Sequence, residues 1–452
     1  MKVLLLNDSF PPVLDGVANV LLNYAHYLTE DYGAEVMVGT PYYPDADYSS
    51  YPYKVVTYQS FDTSSITNGY RAGNPFASKA IAEMAEFKPD IIHVHCPASA
   101  AVIARILRET TGAPLIFTYH TKYDIDIRRV VKNKLVANET IKAMVGVVEA
   151  ANEVWAVSEG AGKSLEELGF EGEWSVMPNG VDFERGRVEP EKVAEATRDY
   201  DLGENIPVFL FVGRMMTYKN IPLILDALKM LADSGRDFRA VFIGKGPDKE
   251  LMEEKAKDLG IADKTIFTGA IYDRDTLRAW NTRADLFLFP STFDTNGLVV
   301  REAAACGLGS VLVRGSCAAE GVTDYRNGFL IDESAESLFE LLKKVSGDFE
   351  LMHSVGENAM NELYMSWRDC VGIAYHRYEK ILTEKKLGTL PVKKKDASDL
   401  LLLMTAKTME EQEKMRKFFI EVKDFSLGMM DNRAEEIFPN AEPFWRDTIR
   451  KE

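Results

Sequence analysis

Short runs of apolar and often β-branched residues alternate along the chain with longer segments whose apolar positions recur at helical spacing. KVLLLN (2–7), AEVMVGT (34–40), DIIHVH (90–95) and APLIFTYH (113–120) are apolar at successive positions, as a strand covered on both faces requires. VWAVS (154–158) and EWSVMP (173–178) complete this first series, and segments 17–29 and 98–110 between the strands carry the helical period. A second series follows, with strands at 208–213, 239–244, 264–269, 286–291 and 309–314. Helices are expected at about 220–234, 248–259, 273–283, 298–306 and 335–347. Strands alternating with helices predict an α/β chain of two doubly wound parallel sheets. Such sheets bind ligands beyond the carboxyl ends of their strands, so the cleft between the halves is the expected site.

The stretch 184–205 is charged, mixed in sign and poor in large apolar residues, and it reads as the connection between the halves. The expected organisation is an N-terminal domain over 1–185, a C-terminal domain over 206–365 and a crossover helix over 366–389. A helical extension of two or three short helices is expected over 390–452, entered through LPVKKKDASD.

Composition narrows the function. The 452 residues carry a formal net charge of −17, which excludes general affinity for nucleic acid because phosphate binding needs a basic face. Cys96, Cys306, Cys317 and Cys370 are far apart and form no Cys-x-x-Cys pair, so neither a zinc site nor a disulfide framework is indicated. The N-terminal MKVLLLNDSFPP does not read as a signal peptide, and no run approaches the ~20 apolar residues of a membrane span. A cytoplasmic protein is expected.

Three stretches carry candidate chemistry. FDTNGLVVREAAACG (293–307) follows a strand and opens a helix near Gly297, with Asp294 before that end and Glu302 in its second turn. A helix N-terminus offers free N–H groups and a positive dipole end to phosphate oxygens, and glycine permits close approach. A capping Asp294 and a solvated Glu302 would explain the same stretch. VGRMMTYKN (212–220) places Arg214 and Lys219 at a strand-to-helix junction, where they converge on a diphosphate or remain surface cations. GKGPDKEL (244–251) is a glycine-rich turn after a strand.

These stretches, together with FTGAIYDRDTLRAW, NGFLI, SFPPVLDGVANV, PDIIHVHCP, TYHTKY, AVSEG and PNGVD, resemble in order and spacing the family 4 glycosyltransferases, which have the GT-B fold. The likeness spans roughly residues 1–385. It implies two Rossmann-like domains facing each other across a cleft, with the C-terminal one binding a nucleotide sugar. The family's Glu-x7-Glu element matches Asp294 to Glu302, so this chain departs at the first acid, which in the family lies by the donor sugar while the second binds the ribose hydroxyls. Asp294 is one methylene shorter, which bears on sugar specificity more than on nucleotide binding. By resemblance, Arg214 and Lys219 contact the diphosphate and His120, in TYHT, faces the donor sugar. Gly16, Gly213, Gly246, Asn296, Gly297, Leu298 and Val299 match donor-binding positions.

The resemblance implies a retaining hexosyltransferase that needs no metal or other cofactor, with UDP favoured over GDP. DAD (45–47) and DID (124–126) imitate the Asp-x-Asp manganese element of another glycosyltransferase fold but lack its context. His93 and His95 share a strand face and read as buried, hydrogen-bonded residues, since no third metal ligand is evident. The expected acceptor is a glycan or a lipid. Residues 126–146 gather Arg128, Arg129, Lys132, Lys134 and Lys142 with Val130, Val131, Leu135, Val136 and Ile141, at spacings of a basic amphipathic helix. Such a helix is either a solvated cationic face or a peripheral contact with an anionic membrane, to which Lys393, Lys394 and Lys395 would add. The alternatives to a transferase are a sugar-nucleotide-binding partner subunit and an epimerase or phosphorylase of the same fold.

Overall fold

The computed structural model describes residues 1–63, 69–203 and 205–391, with isolated positions between 404 and 415. Nearly all of the expected 390–452 extension, with its lysine triplet, lies outside the described residues. In chain order the strands are β1 (Lys2–Leu6), β2 (Glu35–Pro41), β3 (Lys54–Tyr58), β4 (Ser60–Asp62), β5 (Arg71–Gly73), β6 (Ile91–Val94), β7 (Leu115–Tyr119), β8 (Glu153–Ala156) and β9 (Trp174–Val176). The second half adds β10 (Val208–Val212), β11 (Arg239–Ile243), β12 (Thr265–Gly269), β13 (Leu286–Phe289), β14 (Ser310–Val313) and β15 (Phe329–Ile331).

They form a sheet of order β3-β2-β1-β6-β7-β8-β9 and a second of order β12-β11-β10-β13-β14-β15, with β4 and β5 as a separate hairpin. All neighbours within the two large sheets are parallel. In each sheet the winding reverses beside the first strand of the half, between β1 and β6 and between β10 and β13. These are the switch points where a doubly wound sheet opens a crevice. The alternation of side chains explains why the strand sequences are apolar throughout: Val3 and Leu5 enter one core while Leu4 and Leu6 enter the core on the opposite face.

The long helix Trp367–Leu387 returns from the second half to the first. Its Trp367, Cys370, Val371, Ala374, Tyr378 and Ile381 share a core with Val3, Leu5 and Tyr24. Arg377 clasps Glu153 and Glu384.

The structure corrects one expectation and adds elements where none was expected. Residues 126–146 are not one helix: Tyr123–Val130 ends at an extended Val131, and Lys134–Glu149 begins anew because the Asn133 side chain accepts from the N–H groups of Leu135 and Val136. This is an N-cap, and it outcompetes continuation of the apolar period. The connecting stretch 184–205 contains a short helix, Pro190–Thr197, with proline in its first turn. β3 and the β4–β5 hairpin were not expected, because the tyrosine- and proline-rich segment before them masks the strand pattern.

Candidate active site

The carboxyl ends of the two sheets face each other around a cavity of about 410 Å³. The first half contributes Asp15, Gly16, Val17, Tyr70, His120, Thr121 and Asn179, and the second half contributes residues 212–214, 218–219, 289 and 293–299. His120, Arg214, Lys219, Asp294, Gly16, Gly213, Asn296, Gly297, Leu298 and Val299 therefore stand around one space although up to 283 positions separate them (299 − 16). Glu302 and Gly246 do not line it.

Each group is positioned by a local device. Lys219 ends a 3₁₀ turn, Thr217–Lys219, closed by Asn220 in the left-handed region. Its ammonium lies 5.6 to 5.7 Å from the ring centroids of Tyr218, Phe289 and Phe293 and 2.5 Å from Asp294 Oδ1. The other oxygen, Asp294 Oδ2, is buried without a hydrogen-bond partner, an acceptor that a ligand hydroxyl can satisfy. Arg214 is exposed on the cavity wall and forms no salt bridge among the described residues. Two cations of different geometry thus face a space lined by two carboxylates, Asp294, paired with Lys219, and Asp15, which caps a helix.

The helix Leu298–Ala305 starts at the same wall. Gly297 precedes it with φ 64°, and no side chain caps this end. A Cβ at Gly297 would lie 2.9 Å from Ala318 Cβ, so both the backbone angle and the packing require glycine. The loop before the helix is pinned to the first domain. Thr295 Oγ1 donates to the His120 carbonyl, Asn296 Nδ2 donates to the Val157 carbonyl at 2.8 Å, and Ser158 Oγ donates to the Thr295 carbonyl at 2.5 Å. The two domains therefore meet at the cavity itself.

Glu302 misses the cavity because Arg274 takes its carboxylate: NH2 donates to Oε1 at 2.7 Å, with Asp182 Oδ2 3.5 Å from the same nitrogen. Burial pushes the Glu302 carboxyl above its usual pKa, and the Arg274 guanidinium draws it back down. Arg274 in turn lies 4.4 Å over the Phe183 ring. Gly246 serves packing, since a Cβ there would stand 2.2 Å from the Met215 carbonyl oxygen.

Sequence reasoning missed Asp15, Tyr70, Thr121 and Asn179. Asp15 accepts from Val17 N, Ala18 N and Tyr70 Oη, so one carboxylate caps the helix Gly16–Glu30 and holds Tyr70 at the cavity. The Asp-Gly pair before an apolar helical period was the available signal for Asp15. Tyr70 had none.

Residues 14–185 match the family described as Glycosyltransferase Family 4, and residues 193–362 match Glycosyl transferases group 1. The chain belongs to the family 4 glycosyltransferases. This glycosyltransferase is 27% identical over 312 residues to the alpha-monoglucosyldiacylglycerol synthase of Streptococcus pneumoniae, covering 68% of this chain and 70% of that protein. It is 28% identical over 373 residues to a sulfoquinovosyl transferase of Arabidopsis thaliana, covering 77% and 67%. Among solved structures it is similar to Anabaena HepE in complex with UDP, with a TM-score of 0.67 and 18% identity over 84% of this chain and all of that one. The fold is GT-B, and the cavity lies between its two Rossmann-like domains.

Proposed function

We propose that this glycosyltransferase moves a hexose from a nucleotide-diphosphate sugar, UDP preferred, to a hydroxyl of a membrane lipid or glycolipid, with retention of configuration and without a metal. The observation that carries this reading is the meeting of Arg214, Lys219 and the uncapped helix end at Leu298 and Val299 around one cavity. Those groups suit a diphosphate, and charge builds on a diphosphate as the bond from the sugar C1 to the phosphate oxygen breaks. Electrostatic stabilisation of that charge is the largest contribution such a site can make. The acceptor oxygen then bonds to C1 from the face the diphosphate leaves, and a phosphate oxygen takes its proton. Asp294 Oδ2 and His120 face the sugar in this reading, and Glu302 takes the ribose hydroxyls.

The lipid acceptor is supported by the Streptococcus relative, whose name describes a glycolipid synthase, and by a surface corner. Where the Tyr123–Val130 and Lys134–Glu149 helices meet, Leu135 is 77% and Val136 53% exposed, beside exposed Arg128, Lys132 and Lys134. Apolar tips ringed by cations suit an anionic bilayer. The corner lies one eight-residue helix from the cavity-lining Thr121, about 12 Å at helical rise. Among the described residues no helix is long and apolar enough to cross a membrane, so contact would be peripheral. Replacing Leu135 and Val136 together by aspartate is expected to weaken co-sedimentation with phosphatidylglycerol vesicles at least about tenfold; unchanged sedimentation would remove the corner from the account.

The activity is tested with labelled UDP-glucose or UDP-galactose and vesicles of diacylglycerol and phosphatidylglycerol. The expected product is an organic-phase α-hexoside. A β-linked product, or label released only as free sugar, would contradict the proposal.

A further inference from the structure

β6 and β7 are parallel neighbours, so the residues just past their carboxyl ends, His95 and His120, stand side by side. Both are buried, their rings are stacked with centroids 5.2 Å apart, and His95 Nδ1 lies 2.9 Å from His120 Nε2. Only one proton can occupy that contact. We infer that His95 is a positioning residue for His120: His95 Nδ1–H donates to His120 Nε2, which fixes the His120 ring as the Nδ1–H tautomer and makes it a donor, not an acceptor, toward the cavity.

The argument is one of accounting for buried groups. Burial lowers the His95 pKa well below its usual value and that of His120 to about 3, so both rings are neutral. Two arrangements remain. If His120 donated, His95 would carry its own proton on Nε2, and that atom is buried with no partner among the described residues. An orphaned buried N–H is the rarer and costlier outcome. If His95 donates, the orphan is a bare lone pair, and the second N–H belongs to His120, whose ring borders the cavity. His93 offers His95 no alternative partner, because its nitrogens are engaged at 2.6 Å by Tyr378 Oη and Thr118 Oγ1. His120 Nδ1 has no protein partner among the described residues. What it meets rests on the proposed function: an acceptor oxygen of the donor hexose.

The test is the ¹⁵N spectrum of histidine-labelled, ligand-free protein. The chain has 6 histidines, and loss of one signal set in His120→Phe assigns the ring. The inference requires a protonated Nδ1 and a bare Nε2 at neutral pH; an Nε2–H tautomer or an imidazolium would overturn it. His95→Leu should then mix the His120 tautomers and lower kcat/KM about tenfold, the cost of one hydrogen bond. In His95→Asn, the amide N–H takes the place of Nδ1–H, so a single tautomer and most of the activity should return. Activity that falls only in step with melting temperature, with the tautomer unchanged in both variants, would assign His95 a purely structural role and overturn the inference. If His95→Leu does not fold, the unmodified protein and His95→Asn still decide it. Because the spectrum needs no nucleotide, a failed donor assignment would leave its outcome intact.

Discussion

Lys219→Ala is expected to lower kcat for sugar transfer by about 10²–10³-fold with the fold intact, as removal of one preorganised charge-stabilising group does elsewhere. The magnitude follows from the setting of this lysine. Its side chain is only 12% exposed, three aromatic rings surround the ammonium, and its partner Asp294 already has one oxygen without a hydrogen bond. In so dry a place a charge acts on its neighbours with little screening. Under the proposed function, removing it withdraws stabilisation from the leaving diphosphate, and it leaves Asp294 without its salt-bridge partner. Arginine is a poor substitute, since its longer side chain and planar guanidinium do not reproduce a compact ammonium held 2.5 Å from Asp294 Oδ1 in a largely buried place. Steady-state kinetics and circular dichroism of Lys219→Ala and Lys219→Arg check this; kcat within threefold of the parent in both would remove Lys219 from the reaction.

Glu302→Ala should act differently, raising KM for the donor about 10- to 100-fold, the worth of hydrogen bonds to a charged group, while leaving kcat nearly unchanged. A ribose contact is the same in the ground and transition states, and losing uniform binding raises KM alone. In the ligand-free protein Arg274 occupies one carboxylate oxygen, and Arg274 is itself braced by Phe183 and Asp182. The pair therefore presents an ordered acceptor beside the cavity rather than within it. A 2′,3′-dideoxynucleotide should bind the parent and Glu302→Ala equally. If the variant weakens the dideoxynucleotide as much as the ribonucleotide, Glu302 holds the local structure and not the sugar.

The two sheets were legible because strands buried on both faces leave uninterrupted apolar runs, as KVLLLN and VFLFVG do. β3 was not, since KVVTY is short and follows a segment dense in tyrosine and proline. The break at Asn133 was hidden for a different reason: the apolar period continues across VVKNKLV, and only the capping potential of asparagine, a weak local signal, ends the helix.

The site was legible as positions but not as pairs. Arg214, Lys219 and the Gly297 turn could be named from their places after strands, and ordered stretches tied them to a family. That Lys219 would be held by Asp294, or Glu302 by Arg274, depends on where β10, β13 and the Arg274–Arg283 helix end in space. Tyr70 is held at the cavity by Asp15, 55 positions earlier, which accepts from its hydroxyl.

The central claim is that Arg214, Lys219 and the end of the Leu298–Ala305 helix bind the diphosphate of a nucleotide sugar. Calorimetric titration of the purified protein with UDP, GDP, ADP and uridine tests it directly. One diphosphate, expected to be UDP, should bind at least about 100-fold more tightly than uridine, as two charge-assisted contacts imply, and Lys219→Ala should remove most of that difference. Equal binding of UDP and uridine, or no binding of any of the three diphosphates, would contradict the account.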